Sequence, residues 1–464
     1  MSLRRAQSAI KPNESEIVFQ CDNLGMQGEG VGRVDGKAVF VPQILPGEQA
    51  HIRITEERTT YARGECTRLL QRSPYRVEPF CPYYAHCGGC QLQHLEYSNQ
   101  LLWKQQSIAS LFERQAKLTA RVLPVIPCTP NRAVRNKVQL PVRQNAQGHV
   151  VVGFFRPRSH DLTPITHCPM QSDLANRALA LLQRALLQLD IRAYDEQSHS
   201  GWMRHVQLRS DRDDTQLLLT VVSREDTLAI RACLSKLSSM LLPALPELQG
   251  VVLNLNPQTG NAILGAQDVV IWGKNRFTER IGEMRFRVSG SSFVQTNRFL
   301  TETLYQTALK YAALTGHERV LEAYCGLGTI SSFMAKHATD IVASEVNPAA
   351  INDARENAML NGIANIRFLL GSSEQALPQL LALEAKPDMV LVDPPRQGCA
   401  SELLQAVVSA QVSKLVYISC NPATLARDAA FLAACGYHVS ELQPVDMFPW
   451  TEHVEVCCNF VLGK

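Results

Sequence analysis

The sequence predicts an α/β protein whose C-terminal part is a doubly wound, mostly parallel sheet, preceded by a small OB-like β-barrel and a central α+β domain. Three observations carry that prediction. Beyond about residue 285 the chain alternates short β-branched runs with helical stretches, as a parallel sheet with crossover helices requires. Two of those runs, Met389-Val390-Leu391-Val392-Asp393 and Tyr417-Ile418-Ser419-Cys420, are almost wholly apolar and deliver a carboxylate and a thiol at their ends. Buried strands of this kind face a ligand crevice with their carboxyl ends. The first 70 or so residues show short alternating strands punctuated by glycine, the pattern of a small barrel.

Composition sets the bounds. At 464 residues, 45% hydrophobic and 19% charged, the chain can bury two or three separate cores. No window approaches the roughly 18 apolar residues of a membrane span. The opening Met1-Ser2-Leu3-Arg4-Arg5 lacks the apolar core of a secretory signal. These features predict a cytoplasmic protein whose 14 cysteines are reduced thiols or metal ligands. A formal charge of +3 does not by itself imply nucleic acid. Residues 131 to 158, however, hold Arg132, Arg135, Lys137, Arg143, Arg156 and Arg158 with no acidic residue between them, a candidate phosphate-contacting surface.

In chain order, residues 1 to 13 are polar and expected to be disordered. Residues 12–70 form the barrel, with runs at Ala38-Val39-Phe40-Val41 and His51-Ile52-Arg53-Ile54-Thr55, turns at Gly28, Gly30, Gly32 and Gly36, and exposed arginines at 53, 58, 63 and 68 suited to RNA. Residues 73–98 and 130–285 are assigned to the central domain, with strands around Val206-Arg209 and Leu217-Val222. Residues 99–129 are a helical segment associated with the last domain, which spans 286–464.

Cys81-x5-Cys87-x2-Cys90 lies in a loop rich in glycine, proline and tyrosine. Three thiols so close, with glycines that let the backbone fold around a ligand, point to a metal centre needing a fourth donor. Cys168, in His167-Cys168-Pro169, is the candidate. Spacing does not separate an iron–sulfur cluster from structural zinc.

Arg319-Val320-Leu321-Glu322-Ala323-Tyr324-Cys325-Gly326-Leu327-Gly328-Thr329 reads as a strand, a glycine turn and a helix start. Ile341-Val342-Ala343-Ser344-Glu345 follows as a second strand ending in an acid, at the distance that places a carboxylate on ribose hydroxyls. A cap on the helix starting near Pro348 is the alternative reading of Glu345. No lysine with serine or threonine follows to cradle phosphates, and the third glycine of a dinucleotide fingerprint is missing. A nucleoside without phosphates fits, and S-adenosylmethionine is the obvious one.

These residues resemble the S-adenosylmethionine-dependent RNA uracil-5 methyltransferases, in particular the iron–sulfur type that modifies 23S ribosomal RNA and carries an N-terminal TRAM domain. The resemblance covers nearly the whole chain. It rests on the four cysteines, Ser292-Phe293-Val294-Gln295-Thr296-Asn297, the Tyr324-to-Gly328 loop, Asp393-Pro394-Pro395-Arg396, Ser419-Cys420-Asn421-Pro422 and Phe448-Pro449-Trp450-Thr451-Glu452-His453-Val454-Glu455. It implies a Rossmann-like methyltransferase domain, with Cys420 as nucleophile, Glu455 as base, and Gln295, Tyr324, Thr329, Glu345 and Asp393 as cofactor-binding residues. Cys81, Cys87, Cys90 and Cys168 would hold a [4Fe-4S] cluster. Glu322, Thr329 and Trp450 depart from the commonest family residues at their positions.

Chemistry supports the roles. Carbon 5 of uracil becomes nucleophilic only after a thiolate adds at carbon 6, and a polar strand end is expected to lower the Cys420 pKa towards neutrality. Glu455 would remove the carbon 5 proton, with Phe448 and Trp450 excluding water. The expected partner is structured RNA, foremost 23S ribosomal RNA, bound by a monomer that uses neither DNA nor a membrane. A transfer RNA uracil-5 methyltransferase, a cytosine-5 methyltransferase and a non-catalytic RNA-binding factor are the rival readings.

Overall fold

The computed structural model describes residues 16–374 and 386–463. The N-terminal stretch expected to be disordered, residues 1 to 13, lies outside the described residues. The chain divides into two compact units: residues up to 107 with 450–452, and residues 108–449 with 453 onward. Residues 73–98 thus belong with the N-terminal strands.

In the first unit, strands Ile17–Gln20, Gly30–Val34, Lys37–Val41, Gln49–Glu57 and Tyr61–Gln71, with the short Asn23–Leu24, form one six-stranded sheet. Their inward residues Phe19, Val39, Val41, Ala50 and Ile52 make its core. Gly28 and Gly36 adopt positive φ in turns. Gly30 and Gly32, expected in turns, are instead strand residues. A Cβ on Gly32 would lie 2.0 Å from the Gln20 carbonyl, so close strand approach, not turning, requires glycine there.

The second unit holds two large sheets. The central one has seven strands, among them the fully buried Met203–Ser210 and Leu217–Ser223. Those two contain the runs Val206–Arg209 and Leu217–Val222 that the sequence marks as strands. Helices Asp173–Leu186 and Leu228–Leu241 accompany the sheet, each with an N-cap hydroxyl, from Ser172 and Thr227.

The other sheet is built from β1 (Arg319–Ala323), β2 (Asp340–Glu345), β3 (Ile366–Leu370), β4 (Met389–Val392), β5 (Lys414–Ser419), β6 (Glu441–Val445) and β7 (Glu455–Leu462). Their spatial order is β3-β2-β1-β4-β5-β7-β6, and the short strand Arg121–Val122 adds beyond β6. Strands β1 to β5 are mutually parallel where they pair, and β7 runs antiparallel to β5 and β6. The order reverses between β1 and β4, which opens a crevice at their carboxyl ends. No helix among the described residues is long and apolar enough to cross a membrane.

Candidate active site

The crevice is a cavity of about 530 Å³. Gln295, Tyr324, Thr329, Glu345, Asp393, Cys420 and Glu455 all line it, so every residue the sequence named for cofactor binding or catalysis converges on one site. Strand register explains the convergence. Ser419 of β5 pairs with Val456 of β7, so one step further along the antiparallel ladder sets Cys420 beside Glu455. Val392 of β4 pairs with Tyr417, which brings Asp393 to the same edge.

Backbone geometry shapes the cofactor side. Tyr324 takes φ +63°, a costly conformation for a bulky residue. Its amide donates to the Ser373 hydroxyl at 3.2 Å and its hydroxyl to Glu374 at 2.8 Å. The Glu345 carboxylate accepts from the amides of Gly326 at 3.1 Å and Asn347 at 2.8 Å. Asn347, rather than Glu345, caps the helix Pro348–Leu360, which leaves Glu345 for the cavity. The Tyr305 hydroxyl lies 3.1 Å from the Thr329 hydroxyl. Tyr305 also lines the cavity and was missed by sequence reasoning, because a tyrosine in the helix Thr301–Ala312 carries no local signal.

The segment holding Gln295 is clamped by the central sheet. Arg209, fully buried, donates to the carbonyls of Ser289 at 3.0 Å and Ser292 at 2.5 Å, and Gln207 donates to that of Gly290 at 2.7 Å. Asn297 donates to the Met447 carbonyl at 2.9 Å, tying the segment to the stretch that precedes Glu455.

The reactive end carries unusual charge. Glu455 is 2% exposed, and among the described residues its Oε2 has no hydrogen-bond partner. Burial, reinforced by the facing Asp393 carboxyl, pushes the Glu455 pKa well up, while Arg396 pulls the other way. Burial raises Asp393 as well. The expectation that the strand end lowers the Cys420 pKa is overturned: burial, then Glu455 and Asp393, push it up to about 11, opposed by Arg396. A strand end lowers a thiol pKa only when positive charge prevails there, and here two carboxyls adjoin the sulfur. Arg396 is itself fixed: its carbonyl accepts from Asn421 at 2.9 Å, and its Nη2 lies 3.1 Å from His453 Nε2. Phe448 lines the cavity and meets the His453 ring edge-on at 6.0 Å. Trp450, expected to shield Glu455, packs instead in the N-terminal unit against Phe80 and Tyr97, with ring centroids 5.0 and 5.3 Å away.

The metal reading fares differently. Cys81, Cys87 and Cys90 are half-buried in one loop of the first unit, and Cys168 belongs to the second. Among the described residues, no group of three or more His, Cys, Asp or Glu side chains is placed to hold a metal ion.

Four of the nine candidate RNA-contacting arginines pair with acids. On the barrel, Arg53 pairs with Glu65, Arg58 with Glu56 at 2.6 Å, and Arg63 with Glu29 at 2.6 Å. In the basic stretch, Arg143 pairs with Glu196 at 2.5 Å, and burial together with nearby Arg209 pushes the Lys137 amine down to about 7. Arg132, Arg156 and Arg158 are exposed. Sequence showed an acid-free stretch but not the acids that folding brings to it.

Comparison with known proteins places this geometry. Residues 267–462 match the family model described as tRNA (Uracil-5-)-methyltransferase, and residues 22–67 match the TRAM domain. An RNA methyltransferase of Halalkalibacterium halodurans is 38% identical over 96% of this chain and 96% of its own length. One of Clostridium acetobutylicum is 39% identical over the same shares. The structure of Pyrococcus abyssi tRNA (uracil-54, C5)-methyltransferase in complex with S-adenosyl-L-homocysteine superposes with a TM-score of 0.76 at 24% identity, covering 96% of this chain and 99% of that one. With its sheet, its cavity and these relatives in agreement, the chain belongs to the RNA uracil-5 methyltransferases that carry an N-terminal TRAM domain.

Proposed function

We propose that the enzyme methylates carbon 5 of a uridine in 23S ribosomal RNA, with Cys420 as nucleophile and Glu455 as base. The juxtaposition in one cavity of Cys420 with the buried Glu455, whose Oε2 has no hydrogen-bond partner among the described residues, is the observation that supports this most. Gln295, Tyr324, Thr329, Glu345 and Asp393 are the residues to hold S-adenosylmethionine, which supplies an electrophilic methyl group. The cavity fits such a nucleoside: it offers the oriented Glu345 carboxylate for a ribose and a lining without a phosphate-binding lysine.

Burial and the two nearby carboxyls keep the Cys420 thiol protonated, so its proton must move first. The facing carboxyls are the acceptors at hand. The sulfur, steadied as an anion by Arg396, then bonds carbon 6 of the uracil, breaking the C5=C6 π bond and leaving its electrons as an enolate that makes carbon 5 nucleophilic. Once carbon 5 is methylated, Glu455 takes its proton, the C5–H electrons restore the ring double bond, and the carbon–sulfur bond breaks to release the thiolate. A target base must leave any duplex to reach this cavity.

The family model's description favours transfer RNA as the second reading. Labelled methyl transfer to unmodified 23S ribosomal RNA and to bulk transfer RNA, offered separately with nucleoside identification, decides between them. Label in 5-methyluridine from 23S RNA alone supports the proposal, label in transfer RNA moves the substrate, and 5-methylcytidine overturns the base assignment. We further read Cys81, Cys87, Cys90 and Cys168 as the thiolates of a [4Fe-4S] cluster, on donor chemistry alone. Iron and acid-labile sulfide in anaerobically purified protein are the expected result, and zinc without sulfide rejects it. We also propose that the enzyme works in the cytoplasm and as a monomer.

A further inference from the structure

We infer that Asp393 and Glu455 share one proton before the cofactor binds and surrender it when a cation enters, so that the pair selects the charged sulfonium cofactor over its neutral thioether product. This rests on the reading of the cavity as the S-adenosylmethionine site and adds to it a charge-sensing role.

The geometry carries the inference. Both side chains line the same cavity, delivered by β4 and β7 on either side of β5. Glu455 is 2% exposed, and its Oε2 has no hydrogen-bond partner among the described residues. A buried carboxylate left without a donor is costly unless a proton or a cation satisfies it. The other groups facing the pair supply little positive charge. The Glu322 carboxyl lies buried at the carboxyl end of β1, held by the Ser331 hydroxyl and within electrostatic reach of Asp393. Tyr305 and Cys420 are neutral neighbours, both held above their usual pKa by burial first. Arg396 faces Glu455 and Cys420 but also engages His453. Two like charges in such a site cannot both ionise freely, so one proton is retained until a cation arrives.

The proton count closes over a full cycle. Cation entry expels the shared proton to solvent and leaves both carboxylates ionised. The thiol proton then moves onto the pair as the sulfur adds to carbon 6. Methyl transfer discharges the sulfonium to a thioether, which removes the positive charge and makes the pair a stronger base just as the carbon 5 proton must be taken. After that second proton is accepted, the departing Cys420 thiolate recovers one, and the pair returns to a single shared proton. The one proton that the overall reaction releases therefore leaves at cofactor binding.

Isothermal titration of the full-length enzyme in buffers of different ionisation enthalpy tests this without RNA. S-adenosylmethionine, and sinefungin with its ammonium in place of the sulfonium, should each release close to one proton near neutral pH. Their affinity should rise by up to about tenfold per pH unit through that range. S-adenosylhomocysteine should release none and bind with a flat pH profile. In Asp393→Asn the release should fall and the preference for the cation should drop by at least about tenfold. Equal proton counts for the three ligands in the wild-type enzyme overturn the inference while leaving the cofactor site intact, whereas failure of all three to bind overturns the site itself.

Discussion

Cys420 and Glu455 are neighbours by strand register, yet their chemistry is set by what surrounds them. Replacing Glu455 by Gln keeps the shape and removes the base. The covalent protein–RNA adduct should then form and persist, visible as a band that survives denaturing electrophoresis, while methylated product falls by at least about 100-fold. Cys420→Ala should give neither adduct nor product, and 5-methyluridine from that variant would falsify the nucleophile assignment. Arg396 bears on the same sulfur. It is the cation that lowers the Cys420 pKa against the two carboxyls, so Arg396→Gln should move the pH profile of Cys420 alkylation by iodoacetamide upward by about 1 pH unit. An unchanged profile in a folded variant shows that the guanidinium does not act on the thiol.

At the scale of an element, the turn after β1 decides whether the cofactor side of the cavity exists. Gly328 has φ +68°, and a Cβ there would lie 2.8 Å from the Phe368 ring, which belongs to β3. Gly328→Ala therefore meets both backbone strain and a clash with the ring. It should cost about 1–3 kcal/mol in urea unfolding and weaken cofactor binding by more than its effect on the folded fraction explains. This turn was legible in the sequence because only glycine suits it and because it follows an apolar strand run. The ends of β4 and β5 were legible for a similar reason, since buried parallel strands announce themselves as unbroken apolar runs. What escaped the sequence was whatever depends on partners distant in the chain. Trp450 sits five residues before Glu455 but packs on Phe80 and Tyr97. The barrel arginines are alike in sequence, yet Arg63 is half-buried on Glu29 and stacked over Phe40 and Tyr61. The raised Cys420 pKa likewise follows from acids 27 residues before it and 35 after it in the chain.

At the scale of the molecule, the second unit functions only if its two sheets hold the Gln295 segment between them, and that junction is built from buried charge. Arg209 reaches the Ser289 and Ser292 carbonyls from the central sheet. Glu279 lies behind the same segment, its Oε1 accepting from the amides of Arg212 at 3.1 Å and Arg280 at 3.0 Å. Burial pushes the Glu279 pKa up to about 7, with Asp211 adding to the rise and the two amides and Arg209 opposing it. A carboxyl whose pKa is higher in the folded than in the unfolded protein binds more protons when folded. Its favourable contribution is complete below the ordinary carboxylate pKa of about 4.3 and is lost as pH climbs through the folded value. Stability of the second unit should accordingly fall between about pH 5 and pH 8, by up to ~3 kcal/mol from this residue. The buried Glu322, raised to about 8, should extend the decline to higher pH. Glu279→Gln keeps an oxygen acceptor for both amides and cannot ionise, so its urea midpoint should vary less with pH and exceed that of the wild type at pH 8. If wild type and variant instead lose stability in parallel over that range, the junction charge is not what couples folding to pH, and the cofactor-side carboxyls must account for the whole slope.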